Sequence, residues 1–190
     1  ANPVVNPCMK GFPGFIYLYN NSFALPVDCE ILLSEFILDD NKVALRWWPE
    51  NAGSIHPDVQ TGNAFSDRYH HFKVSCRYSF ATESSDNFLI TNNFWGDRLN
   101  IHVLNGVMPS SKNALPLRIN MYIPKGFGYL KFNYGDIIAH AIPLSGKKYV
   151  VEKKLMMGDE YVKYHRYHQV LARTRLDATK IRREISDDTA

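Results

Sequence analysis

Short runs rich in β-branched and aromatic residues recur along the chain, and two of them, at 71–78 and 117–122, alternate hydrophobic and polar residues. Side chains of a strand point alternately to its two faces, so this alternation is typical of strands with one face in a core. Clusters of Gly, Pro and Asn separate the runs. The pattern predicts eight strands, at residues 15–19, 31–38, 43–48, 71–78, 87–91, 100–104, 117–122 and 137–144.

The spacing of these strands is typical of a mainly β domain, and it favours a jelly roll or a β-barrel-like fold. Asp39-Asp40-Asn41-Lys42 lies between two of the apolar runs and predicts a hairpin turn. Residues 49–67 and 106–113 are rich in turn-forming residues and lack a clear period. We expect both stretches to be surface loops, which commonly carry binding residues.

The period changes after Gly158. Asp159 is a suitable N-cap, and neither Pro nor Gly follows it, which predicts one long C-terminal α-helix from about residue 159 to 186. Residues 1–158 then form the β domain, and residues 159–190 form a basic helix with a short acidic end. Hydrophobic and small side chains recur along the helix at steps of three and four, as in a heptad seam: Tyr164, Tyr167, Leu171, Thr174, Ala178, Ile181 and Ile185.

The seam has three interpretations. In the first, the seam packs on the chain's own sheet. In the second, it pairs with a second copy or another subunit, and in the third, the Lys and Arg side chains beside it bind nucleic acid or an acidic partner. Residues 161–190 hold 7 basic and 4 acidic side chains, which accounts for the whole net charge of +3. Because the acidic residues dilute this field, we expect a homo-oligomer or a protein partner rather than nucleic acid.

Composition indicates the class of protein and where it is located. Hydrophobic residues make up 45% of the chain and aromatic residues 13%, which is typical of a packed globular protein. No apolar run approaches the roughly 18 residues of a membrane span, and the first residues lack signal-peptide features, so we expect a protein that is neither membrane-bound nor secreted. The cysteines, Cys8, Cys29 and Cys76, have no zinc-type spacing, and we expect buried free thiols.

One short motif points to a metal. His56-Pro57-Asp58 has the H-x-D spacing of a two-histidine, one-carboxylate iron site, for which His102 or His140 would supply the second imidazole. Arg118 would then hold an acidic co-substrate. The ordinary alternative is a His-Pro turn, in which case no cofactor is expected and Fe(II) belongs only to the metal hypothesis.

His70 and His71 are consecutive in a predicted strand. Their side chains should point to opposite faces, so they should not chelate one ion together.

Large aromatic residues cluster near strand ends. Trp47, Trp48 and Trp95 are either core anchors or, if exposed, a stacking or peptide-binding surface, with Arg68 as a further binding candidate. The chain has no phosphate-binding glycine loop, no G-x-S-x-G elbow and no HExxH helix. Whether it is an enzyme is therefore left open by the sequence.

Four segments carry a family resemblance: NPCMKGF at 6–12, NSFALPVDC at 21–29, WPE at 48–50 and DIIAHAIP at 136–143. Together they resemble a family of uncharacterised proteins from tailed bacteriophages, including phages of marine bacteria. The resemblance implies a phage origin, a β-rich fold and a location in the virion or the host cytoplasm. This family has no assigned activity, and its members usually carry Gln where this chain has His140, which weakens that residue as a metal ligand.

A second, shorter resemblance covers about eight residues. GDIIAHAI at 135–142 is similar to a strand of dUTPase and dCTP deaminase folds, but the other motifs of those enzymes are missing. The leading hypothesis is a phage-encoded binding or structural protein, virion-associated or host-modifying, that self-associates or docks through its C-terminal helix. The alternatives are a double-stranded β-helix Fe(II)/2-oxo-acid oxygenase and a dUTPase-like nucleotide-binding protein.

Overall fold

The computed structural model of the chain describes residues 12–56, 66–83, 85–94, 101–110, 115–155 and 157–159. The chain divides into two compact units, Ala1–Tyr149 and Val150–Ala190. All the strands described below belong to the first unit.

The first unit is mainly β. Its first described element is helix α1 (Pro13–Asn21), and a short 3₁₀ turn covers Glu50–Ala52. The strands are β1 (Phe23–Pro26), β2 (Ile31–Ile37), β3 (Val43–Trp48), β4 (Gly53–Ile55), β5 (Tyr69–Phe80), β6 (Asp86–Asn92), β7 (His102–Val103), β8 (Gly106–Ser110), β9 (Leu115–Pro124), β10 (Tyr129–Phe132) and β11 (Ile137–Pro143).

The strands form three antiparallel sheets. Their orders are β1-β11-β6-β8, β10-β2-β3 and β4-β5-β9-β7. Strands far apart in sequence, such as β1 and β11, lie side by side. Among the described strands, only the β2–β3 and β4–β5 pairs join consecutive strands, so non-local pairing dominates the architecture.

Strands β5 and β9 are long, paired with each other, and apolar on one face. Phe72 of β5 pairs with Met121 of β9, and Val74 pairs with Ile119; all four side chains are buried. Burial of a large apolar side chain contributes about 1.5–3 kcal/mol. This face therefore supplies a large part of the core, and the residues between these positions point to the other side of the sheet.

The hairpin predicted around Asp39–Lys42 is confirmed. Strands β2 and β3 pair from Ile37↔Val43 onward, and the backbone N–H of Leu38 donates to the carbonyl of Lys42 at 2.9 Å. Asn41 has a φ of 61°, a left-handed conformation that Asn tolerates better than most residues.

The strand predicted at 15–19 is wrong, because these residues lie in α1. Pro13 occupies the start of the helix, where its missing N–H costs nothing, and the Asn21 side chain donates to the carbonyl of Tyr17 at 2.7 Å. A short apolar run does not distinguish a helix from a strand by its period alone. The other seven predicted strands are confirmed with changed ends, as β2, β3, β5, β6, β7, β9 and β11.

Both predicted loops contain a short strand. β4 lies within 49–67 and β8 within 106–113, and neither has the alternation that identifies a strand. β4 has three residues, so its pairing with β5 rather than its own sequence makes it a strand.

The predicted C-terminal helix lies outside the described residues, apart from Asp159. Within the described ranges the one α-helix is α1, and no long helix occurs there. No helix in that same part of the chain is long and apolar enough to cross a membrane.

Candidate functional site

Two of the predicted metal ligands lie on the sheet β4-β5-β9-β7. The backbone N–H of His56, just after β4, donates to the carbonyl of His71 in β5 at 3.1 Å, and the two rings stack with centroids 4.5 Å apart. His71 pairs with Tyr122 of β9, which in turn pairs with His102 of β7. These four ring-bearing residues therefore form one row across the sheet.

This row separates His56 from His102. Neighbouring strands lie about 4.8 Å apart, so three strand spacings place the two residues roughly 14 Å from each other. One ion cannot bind both side chains at that separation, because metal–nitrogen bonds are about 2 Å long. The described residues contain no group of three His, Cys, Asp or Glu side chains that could hold a metal, and Asp58 lies outside them.

The third candidate ligand, His140, lies in a different sheet. It belongs to β11, is buried, and stacks on Phe94 with ring centroids 4.4 Å apart. Burial lowers its pKa below the ordinary histidine value, so it is neutral over most of the physiological range. Its role in the described structure is packing.

The row lies on a polar sheet surface, which we call the histidine face. It is formed by the outward-facing side chains of the four strands and the residue that follows β4: His56, Tyr69, His71, Lys73, His102, Arg118, Asn120 and Tyr122. None of these residues is acidic.

Two polar groups at the centre of this face are unsatisfied. Both ring nitrogens of His71 and the side-chain oxygen of Asn120 are buried and have no hydrogen-bond partner of normal geometry among the described residues. Burial, and then the neighbouring His56, lower the pKa of His71, while Asn120 acts in the opposite sense. An unsatisfied buried group costs about 1–3 kcal/mol, and such groups occur in native proteins mainly where they have a further role.

His70 points away from this face, as expected for consecutive residues of a strand. Its Nε2 donates to Glu35 at 2.9 Å, and the two side chains are only 6% and 9% exposed. The Glu35 carboxylate also accepts backbone N–H groups of Gly126 at 2.8 Å and Gly128 at 2.9 Å. Through these hydrogen bonds, Glu35 connects β2 to β5 and to the turn between β9 and β10.

The predicted tryptophan and arginine site is not assembled as one surface by the described residues. Trp47 turns inward, packs edge-on against Phe72 and donates its indole N–H to the carbonyl of Glu50 at 3.0 Å. Trp48 turns outward and is 61% exposed. Arg68 lies before β5, where its carbonyl accepts a backbone N–H, and Trp95 lies outside the described residues.

Trp48 belongs to a second surface, which we call the aromatic face. It is the outward side of the sheet β10-β2-β3, where Leu32 pairs with Trp48. Tyr129, on the neighbouring β10, is 60% exposed, and the Arg46 guanidinium lies 4.9 Å from the centre of the Phe36 ring. Leu32, Phe36, Arg46, Trp48 and Tyr129 define this face, and Ser34 and Lys131 lie between them on the same side of the sheet. Aromatic side chains and Arg are enriched at protein interfaces.

The two cysteines within the described ranges are free. Cys76 is buried, which raises its pKa to about 12, and burial also raises the pKa of Cys29. Neither thiol ionises readily near neutral pH, so neither has the character of a catalytic nucleophile. Cys8 lies outside the described residues.

The second unit can be described only at its start. Val150, Leu155 and Met157 are exposed there and belong to no helix or strand. The predicted association seam, from Tyr164 to Ile185, lies outside the described residues.

Comparison with known proteins gives no relative from which a function could be carried over. No family model, no curated protein and no solved structure matches the chain. The resemblances to phage proteins and to the dUTPase strand therefore stay predictions.

The two faces were only partly visible in the sequence. Alternation in 71–78 and 117–122 identifies which residues share a face of one strand, but not which strand lies beside it. The juxtaposition of Lys73, Asn120 and Arg118 arises from the pairing of β5 with β9. The Glu35 contact with the turn at 126–128 has no local signal at all, since about ninety residues separate the partners.

Proposed function

We propose that this chain is a binding or structural protein, of phage origin and virion-associated or host-modifying, that self-associates through its aromatic face and its C-terminal unit. The aromatic face carries this proposal: two large aromatic side chains, Trp48 and Tyr129, lie outward on one three-stranded sheet while more than half exposed. A monomer gains nothing from this exposure, whereas association removes that apolar surface from water.

The chemistry of the face fits a protein partner. Trp, Tyr and Arg are the side chains most often found at the energetic centres of protein interfaces, and here Arg46 already lies against an aromatic ring. A second copy of the chain would bring the same residues together around a two-fold axis. The exposed apolar side chains at the start of the C-terminal unit support association by that unit as well.

The fold we propose for the first unit is a jelly roll or a related barrel. Support comes from the non-local antiparallel pairings, β1 with β11 and β5 with β9, which jelly rolls and Greek-key barrels share. Such domains commonly form virion components, in agreement with the phage resemblance.

Light scattering of four purified chains tests the functional proposal. The full chain should have a mass above the 21.8 kDa of one copy. A chain carrying Trp48→Ser and Tyr129→Ser, and a chain ending at Gly158, should each have a lower mass. The Tyr134→Ser variant is the matched control, because Tyr134 is 78% exposed but lies in the turn after β10. A monomeric full chain at all concentrations would refute self-association.

A further inference from the structure

The histidine face combines cations with rings, and the described residues that define it include no acid. Lys73 pairs directly with Asn120, and Arg118 pairs with Ser75, so the two cations are diagonal neighbours on the same side of β5 and β9. Diagonal neighbours in a sheet lie about 7–8 Å apart, within reach of one another's long side chains. Their tips can therefore approach the same ligand group.

Among the described residues, neither cation has an ion-pair partner. The ion pairs of the described residues involve Lys42, His70 and Lys131, all away from this face. Burial, and then the like charge of Arg118, lower the pKa of Lys73, as expected for two neighbouring cations without a carboxylate. An anion placed between them would relieve this repulsion.

Rings lie beside the cations on the same surface. The Tyr122 ring is 5.1 Å from that of His71 and 5.8 Å from that of Tyr69, and Tyr69 lies 6.4 Å from His102 at the exposed end of the row. Four adjoining strands carry these groups across roughly 14 Å. Along β5 and β9, the rings of Tyr69, His71 and Tyr122 occupy two neighbouring rows, and Lys73 and Arg118 follow in the next two rows.

We propose that the histidine face binds single-stranded nucleic acid, with Lys73 and Arg118 on the phosphates and with His102 and the neighbouring tyrosines against the bases. A sheet that presents rings to stacked bases and cations to the backbone is a recurrent way of binding single strands. The site lies on a different sheet from the aromatic face, so the inference goes beyond the proposed function and does not depend on it.

The sequence disfavours nucleic acid as a partner, because acidic residues dilute the basic C-terminal segment and the charges in the rest of the chain balance. The proposed site differs from this expectation because it depends on local charge. A balanced total still permits a local cationic surface, and strand pairing creates one here. The proposed ligand is a single-stranded nucleic acid rather than a mononucleotide. A row of side chains across four β-strands offers more stacking surface than one base covers.

Fluorescence anisotropy tests the proposal. The full chain is titrated into a labelled oligothymidylate of about twelve nucleotides in about 50 mM salt. We expect Arg118→Gln and Lys73→Gln each to weaken binding and to reduce the slope of log Kd against log salt by about 0.7. Lys73→Arg should retain binding. His102→Ala should weaken binding about tenfold with the slope unchanged, because it removes stacking and not charge.

Lys148→Gln is the matched control, since it removes an exposed positive charge elsewhere in the first unit. Thermal melting of each variant establishes that it is folded before its binding is compared. If Arg118→Gln and Lys73→Gln bind like Lys148→Gln, or if the full chain does not bind the oligonucleotide, the proposal is overturned. Competition by thymidine monophosphate as effective as that by the oligonucleotide would also overturn it, in favour of a small nucleotide site.

Discussion

One carboxylate, that of Glu35, joins three separated parts of the β domain. It accepts hydrogen bonds from two backbone N–H groups of the turn that follows β9 and from His70 of β5. Breaking a buried pair is costly because the remaining partner stays desolvated. Sequence reasoning placed His70 on the correct face of its strand, but it gave no sign of this partner, since only the fold brings β2 and β5 together.

Glu35→Gln should therefore lower the free energy of unfolding by about 2 kcal/mol or more, because a charged acceptor of several hydrogen bonds is replaced by a neutral one. Glu30→Gln is the matched control, since Glu30 pairs with Lys131 at the surface, where such pairs contribute at most about 1 kcal/mol. Urea unfolding of both variants measures the difference. Equal losses of unfolding free energy in the two variants would show that the Glu35 contacts stabilise the fold no more than a surface ion pair does.

The stability of the protein should also depend on the ionisation of Glu35. Burial acts to raise its pKa, but the hydrogen bonds from Gly128 and Gly126 and the contact with His70 outweigh it and lower the pKa below the ordinary value of 4.5. The folded state thus binds the proton more weakly than the unfolded state. This contribution is complete above about pH 5 and is lost as the pH falls through the lowered pKa.

Accordingly, the difference in unfolding free energy between the natural chain and Glu35→Gln should shrink as the pH is lowered from about 6 to about 3. Urea titrations at several pH values measure it. A difference that stays constant over this range would mean that the carboxylate is not ionised in the folded protein.

Strand elements were predictable wherever the sequence alternates over several residues. The strands β5 and β9 have that pattern and were correctly predicted; the hairpin of β2 and β3 and the strands β6 and β11 were correctly predicted from short hydrophobic runs bounded by turn residues. The strands that were missed are short, and their pairing partners hold them in place. α1 was missed because an apolar run of five residues does not reveal its period.

Gly53, at the start of β4, shows how a partner constrains such a short strand. A Cβ atom at this position would lie 2.7 Å from the backbone carbonyl of Lys73 and would overlap the Phe72 ring. The approach of β4 to β5 therefore requires the absence of a side chain.

We expect Gly53→Ala to destabilise the protein by about 1–3 kcal/mol, because the added methyl group forces β4 away from β5. Gly106→Ala at the start of β8 is the control, since a Cβ there meets nothing within 4 Å and alanine reduces the freedom of the unfolded chain. Thermal or urea unfolding compares the two. A Gly53→Ala chain as stable as Gly106→Ala would contradict the described packing of β4.

At the scale of the whole molecule, two sheet surfaces differ in chemistry. The aromatic face on β10-β2-β3 carries exposed aromatic rings with Arg46 and Lys131 among them, whereas the histidine face on β4-β5-β9-β7 is polar and cationic. Charge counts and periodicity described each strand but not the surfaces that several strands make together. For the same reason the sequence suggested a metal site from His56 and His102, which the sheet order holds apart.

Oxidation by hydroxyl radicals at several protein concentrations tests most directly whether the aromatic face is the surface of self-association. Peptide mass mapping measures the oxidation of Trp48 and Tyr129. Self-association through this face predicts that both side chains become protected as the protein concentration rises, while Tyr134, which is 78% exposed in the turn after β10, keeps the same rate. Oxidation rates of Trp48 and Tyr129 that stay constant as the concentration rises would contradict it.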